Sequence, residues 1–154
     1  MYYSVSFYNG TSKRNTYDDW HLVPEARPII ASPEVKTKYV EVPGAHGSLD
    51  LTDSLTGGPL YQNREGEIRF YILNGYDTFV NIKTAILQYL QGKKIKMITE
   101  DDPGYYYEGR LSASFENGSE NNHASVTLKY TFAPFKRSCT VNGATITDTG
   151  GISL

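Results

Sequence analysis

Cysteine, tryptophan and methionine are scarce: the 154 residues hold one Cys, one Trp and two Met. A lone Cys139 excludes an intrachain disulfide and any zinc site built on cysteines. The three histidines, His21, His46 and His123, stand far apart and in no H-x-x-x-H or H-E-x-x-H frame, so a histidine zinc site is not written here. No apolar run approaches the ~18 residues of a membrane span. The start, Met1-Tyr2-Tyr3-Ser4-Val5, lacks the basic region and apolar core of a signal peptide, and the expectation is a soluble chain made in the cytoplasm. Asn9-Gly10-Thr11 and Asn117-Gly118-Ser119 then read as turns rather than glycosylation sites. Charge of one sign is missing too. The net charge is -2, and the single basic run, Lys93-Lys94-Ile95-Lys96, reads as the wet side of a strand rather than a nucleic-acid footprint.

Catalytic constellations are equally thin. Ser48, His46 and Asp50 can be written as a triad, but triad members normally come from distant segments. There is no G-x-S-x-G elbow. Gly57-Gly58 is followed by Pro59, which removes an amide that a phosphate loop would use. Glu100-Asp101-Asp102 could hold a divalent cation, but Pro103-Gly104 follows, and the cluster reads as turn chemistry. The expectation is a protein that is not an enzyme and has no cofactor, metal site or catalytic residue.

What the chain does have is tyrosine, thirteen of them, and clean period-two alternation. Tyrosine suits surfaces that become buried against a partner, and it equally suits ordinary strands. From Tyr105 to Glu116 one face reads Tyr105, Tyr107, Gly109, Leu111, Ala113, Phe115, and the other is polar beyond Tyr106. From His123 to Phe132 one face reads Ala124, Val126, Leu128, Tyr130, Phe132. These are two half-buried strands, joined as a hairpin by Asn117–Asn122. Tyr3, Val5 and Phe7 mark a first strand; Lys36–Val42, Glu67–Leu73 and Lys94–Ile98 mark others.

One segment has the helical period. Phe79, Ile82, Ala85, Ile86, Tyr89 and Leu90 share a stripe, with Asp77 or Thr78 as N-cap and Gly92 just past the end, so a helix is predicted over 78–91. Asn9–Pro33 and Asp53–Gly66 read as two long loops, and loops of that size are usually ordered by something. Asn142-Gly143 predicts a terminal hairpin or a strand that pairs with another chain, with Asp148–Leu154 frayed. The whole is one α+β domain, mostly antiparallel β, sandwich-like with one helix and long loops.

Four stretches carry a resemblance. Tyr17-Asp18-Asp19-Trp20-His21-Leu22-Val23-Pro24-Glu25-Ala26-Arg27-Pro28 comes first, followed by the run from Pro33 through Pro43-Gly44-Ala45-His46-Gly47 to Leu51. Asn63-Arg64-Glu65-Gly66 and the run from Glu100 to Arg110, with Tyr105-Tyr106-Tyr107-Glu108-Gly109-Arg110, come after. In that order they resemble the distal tail proteins of long-tailed and contractile phages, in the form carried by Firmicutes phages and phage-like particles. The resemblance covers about Thr16 to Lys136. It implies a β-sandwich with one helix and an extended hairpin. It also implies a homohexameric ring that joins the tail tube to the baseplate hub, around a channel that DNA crosses in transit. The implied partners are further copies of the chain, a tail tube protein and a baseplate hub protein, with no membrane. The implied location is the virion, or a phage-like particle.

On that reading residues 1–137 are the ring-forming domain and 138–154 a short extension. Many relatives add a C-terminal domain that carries host-binding modules; the sequence is similar to the ring-forming domain alone, so the resemblance leaves receptor binding open. A ring that closes on itself needs two different surfaces per subunit. The long loops are the candidates, with Trp20, Leu22, Val23, Pro24 and Arg27 in the first and Leu55, Pro59, Leu60 and Arg64 in the second. Trp20 equally fits a core or loop-pinning role. A channel that lets DNA slide should be acidic or neutral, with Glu34, Glu41, Glu65 and Glu67 as candidate lining. The competing expectation is a monomeric carbohydrate-binding module using Tyr105, Tyr106 and Tyr107, although alternation sends Tyr106 to the opposite face.

Overall fold

The alternation just described becomes the wall of a closed sheet in the computed structural model, which describes residues 3–28, 30–51, 57–118 and 123–154. In chain order the elements are β1 (Val5–Asn9), β2 (Ser12–Asn15), β3 (Leu22–Pro24), β4 (Val35–Lys36), β5 (Tyr39–Glu41), β6 (Ser48–Asp50), β7 (Leu60–Tyr61) and β8 (Arg64–Ile72). Then come α1 (Phe79–Leu90), β9 (Lys94–Thr99), β10 (Tyr105–Glu116), β11 (Ser125–Phe132), β12 (Lys136–Asn142) and β13 (Thr145–Ser153). The main sheet runs β2-β1-β9-β10-β11-β8-β3, with β12 and β13 branching from β10, and every strand pair is antiparallel.

Thr16 closes this sheet. Its N–H donates to the Val5 carbonyl at 3.0 Å, its carbonyl accepts from the Leu22 N–H at 2.8 Å, and its hydroxyl accepts from the Val5 N–H at 3.0 Å. One fully buried residue thus links β1 to β3, which lie near opposite ends of the sheet path. The sheet curls into a barrel whose opposed walls enclose one core, which keeps the α+β, sandwich-like class. Inward residues from all its walls meet there, among them Phe7, Leu22, Phe70, Met97, Leu111, Leu128 and Phe132. Each such side chain contributes about 1.5–3 kcal/mol by leaving water.

The helix lies across this core. Thr78 is extended and its hydroxyl accepts from the Asn81 N–H, giving the N-cap. Gly92 takes the left-handed conformation, φ +70°, just past the end. Ile82, Ile86, Tyr89 and Leu90 are buried, whereas Ala85 is exposed. Phe79 packs edge-on against Phe115, and the Tyr89 hydroxyl reaches the Phe7 and Ser12 carbonyls at 3.1 and 2.8 Å.

On the opposite face of the sheet a smaller cluster, Tyr8, Ile98, Tyr106 and Cys139 with Ile146 against it, seats the β12–β13 hairpin. Three sequence expectations are corrected here. The hairpin's central residues are Gly143 and Ala144, since Asn142 pairs with Thr145. Gly143 has φ +62° and Ala144 has no positive φ, so one glycine at the first central position suffices, unlike the two positive φ angles of a type I′ turn. The last residues are strand through Ser153, because the Ile152 and Ser153 positions pair with Arg137 and Lys136. The segment Asn9–Pro33, read as a loop, holds β2 and β3. Polar Ser12-Lys13-Arg14-Asn15 hid the first of these, and Pro24 shortened the second.

Candidate assembly interface

Between Ala31 and Arg64 the chain leaves the barrel as an arm. Val35, Tyr39, Val40 and Val42 favour extended backbone. Gly44 and Gly47, at φ +80° and +72°, turn the chain at the tip. The return limb then pairs with the outgoing one: Tyr39 with Asp50, Val40 with Leu49 and Glu41 with Ser48, and nearer the barrel Val35 with Tyr61 and Lys36 with Leu60. Every residue from 34 to 50 is exposed. The apolar ones are strongly so: Tyr39 60%, Leu49 51%, Leu60 47% and Val42 45%. Side chains of this size on both faces of a ladder, with no core beneath it among the described residues, make the arm a candidate interaction surface. A two-stranded ribbon of this kind is marginal in water without such cover.

The arm's two roots are fixed to the barrel. The Ala31 N–H donates to the Tyr130 hydroxyl at 2.8 Å, and the Ala31 carbonyl accepts from Arg64 Nη1 at 3.2 Å. Arg64 Nε donates to the Pro134 carbonyl at 2.9 Å, and the guanidinium stands 5.3 Å from the centre of the Tyr107 ring. Tyr61 packs edge-on against Phe135. Arg64 is 4% exposed, and its Nη2 has no hydrogen-bond partner. A buried donor left unmet costs about 1–3 kcal/mol. Two glycines make the arrangement possible. A Cβ on Gly66 would lie 2.4 Å from the Tyr130 hydroxyl, and one on Gly109 would lie 2.0 Å from the Thr131 carbonyl oxygen.

The residues expected at subunit contacts separate sharply. Trp20 and Leu22 are core residues, 4% and 0% exposed, with Trp20 packed on Phe7 and edge-on to Tyr89. Their area is consumed inside the chain, so neither offers a neighbour anything. Arg64 is buried as an internal clamp and cannot reach across an interface as expected. Val23 and Pro24 are half-buried on β3, at the end of the sheet path. Arg27 is exposed, with its guanidinium 5.3 Å from the Tyr3 ring centre. Pro59 and Leu60 are exposed on the arm's return limb, and Leu55 lies outside the described residues. Tyr39, Val40, Val42 and Leu49, exposed on the arm, were not among the expected contacts, because Lys36–Val42 was read only as a further strand. The available signal was the Gly44–Gly47 tip between two β-prone runs.

The four glutamates also divide. Glu34 and Glu41 belong to the arm, whereas Glu65 and Glu67 lie on the outer face of β8. Glu67 stands directly across from Lys129, and Arg110 lines the same open groove as both β8 glutamates, so that face is of mixed charge. The carbohydrate platform is overturned: Tyr106 and Tyr107 are 5% and 7% exposed, one on each face of the sheet. Glu100, Asp101 and Asp102 turn to three separate partners, the Ser4 N–H, the Tyr3 hydroxyl and Lys136. Burial, and then the bond to Asp101, hold the Tyr3 phenol well above its ordinary range, while the bond to Asp102 raises Lys136.

A closed antiparallel barrel with one helix and a projecting arm can be set beside known proteins. Residues 21–130 match the family described as the phage tail protein RIFT-related domain. The chain belongs to this phage tail family. No curated protein matches it. Among solved structures, this tail protein is similar to the Dit protein of phage SPP1, described as a paradigm of the hub adsorption apparatus in phages that infect Gram-positive bacteria. The two are 18% identical with a TM-score of 0.58, over 87% of this chain and 52% of that one. The likeness is one of fold, and this tail protein spans about half the length of the Dit chain.

Proposed function

We propose that this tail protein is a structural component that assembles with copies of itself into a homohexameric ring between the tail tube and the baseplate hub, around the DNA channel. The observation that carries this reading is the arm, a β-ladder with Tyr39, Val42, Leu49 and Leu60 in water and no core of its own. Family membership supports a tail role, and the fold shared with a hub protein of SPP1 supports the position within the tail. In the ring the arm of each subunit lies on the barrel of the next. Arg27, Val23 and Pro24 on the β3 side and Pro59 and Leu60 on the arm supply contacts. Six copies related by rotation use one heterologous contact each and close without free surfaces. The work is assembly, and no step of it needs catalysis.

Glu65 and Glu67 face the lumen on this reading. Lys129 and Arg110 beside them temper the field, so the channel is neutral to mildly acidic and DNA slides without being held. The test is native mass spectrometry of the purified chain with electron-microscopic class averages. Six-fold rings are expected, and Tyr39→Asp with Leu49→Asp should return the chain to folded monomers. A chain that stays monomeric at high concentration, or rings whose arms stand free in solvent, would overturn the proposal.

A further inference from the structure

We infer that Arg64 is a positioning residue: with Tyr130 it clamps both roots of the arm to the barrel and fixes the direction in which the arm leaves. Ala31 is the last point before the arm departs, and both of its backbone polar groups are taken by barrel side chains, the N–H by Tyr130 and the carbonyl by Arg64. Arg64 is itself the first residue of β8, so the outgoing and returning roots are tied to each other through one side chain. Its Nε ties both to Pro134, where β11 passes into β12. The planar fork of an arginine can address two carbonyls at once in a fixed geometry, which a lysine cannot.

The placement is not one that stability alone would select. The guanidinium is buried, makes no salt bridge among the described residues and leaves Nη2 unmet. A buried cation of this sort is often replaceable by an apolar side chain of similar volume without loss of stability. Its neighbours are shaped around it. Tyr107 presents a ring face to the guanidinium and stacks on Phe132, and Gly109 lets β10 approach β11 closely there. Gly66, two residues along β8, leaves the space through which the Tyr130 hydroxyl reaches Ala31. Arg64 with Gly66, and Tyr107 with Gly109, are thus two separated sequence motifs that meet at one structural point, the arm root.

The biological consequence rests on the ring reading, because a directed arm matters only if a neighbour receives it; the geometry can be measured without it. Spin labels at Ala45→Cys on the arm tip and Thr84→Cys on α1, in a Cys139→Ser background and diluted with unlabelled chain, report the distance between arm and barrel. A single narrow distribution is expected. Arg64→Met should broaden or split it while the circular dichroism spectrum and melting midpoint stay near those of the parent, and Arg64→Lys should broaden it too. Tyr130→Phe, which deletes one hydroxyl, should do the same to a smaller degree, and it decides the matter if Arg64→Met does not fold. Unchanged widths in folded variants, or a lowered melting midpoint with an unchanged width, would overturn the clamp. A labelled parent that never forms rings would overturn the assembly reading and leave the distances to judge the clamp.

Discussion

The barrel wall and the arm are both antiparallel β-structure rich in Val, Tyr and Leu, yet they end in opposite environments. In β11, and in β10 beyond Tyr106, the apolar residues alternate, so one face is buried and the other more exposed. In the arm Tyr39, Val40 and Val42 crowd both faces and all remain exposed. The difference teaches that strand chemistry alone does not say what a strand is for. Alternation marks a strand that buries itself within its own domain, and its failure marks one that waits for another surface. The distinction also separates folding from assembly: damage to the wall should cost stability, and damage to the arm should cost association.

The largest effect that would break this comparison is in the wall. Phe70→Ala, at a position with no exposure, should cost about 3–5 kcal/mol in denaturant unfolding. Tyr39→Ala on the arm should leave monomer stability within about 0.5 kcal/mol of the parent and abolish ring formation. If Tyr39→Ala destabilised the monomer as Phe70→Ala does, the arm would be part of the fold. Gly109→Ala comes next. Its Cβ would meet backbone at the Thr131 carbonyl, which cannot swing away, and a loss of about 1–3 kcal/mol is expected. Thr16→Val should cost a similar or smaller amount, about 1–3 kcal/mol, by stranding the buried Val5 N–H while keeping the side chain's volume.

The smallest effect concerns the terminal hairpin, one of whose ties to the barrel is the Tyr106 hydroxyl donating to Asp148 at 2.7 Å. Burial first, then that bond, push the Tyr106 phenol up to about 12. A raised phenol favours the folded state below its ordinary pKa of ~10, and the contribution is lost as pH climbs through the folded value. The same bond holds the Asp148 carboxyl below its ordinary range, so that contribution is present above ~4 and fades as pH falls through the folded value. Amide exchange of β13 should therefore quicken at both extremes. Tyr106→Phe should remove the alkaline limb, and an unchanged alkaline profile in that variant would show that another group anchors the hairpin.

The wall was largely readable. Tyr105–Glu116 alternates cleanly beyond Tyr106, and the strand has those ends. The helix falls one residue inside its predicted span at each end, because Thr78 and Gly92 announce the two caps. Closure was not readable, since it depends on Thr16 meeting Val5 and Leu22 at once, and no local pattern encodes that meeting. The residues expected at subunit contacts differ in exposure. Pro59, Leu60 and Arg27 are exposed, but Trp20 and Leu22 were drawn to the core by the same size and apolarity that made them attractive as contacts. Arg64 was noticed for its reach, whereas its role is internal.

Ala31 and Arg64 sit side by side where the arm begins and ends, 3.2 Å apart at the bonded atoms. A segment whose two attachment points touch can be lengthened, trimmed or exchanged without asking the rest of the molecule to move. In a loop, doubling the length adds only about 0.6 kcal/mol of closure entropy. The arm is thus a module whose span can drift while its socket on the barrel stays the same.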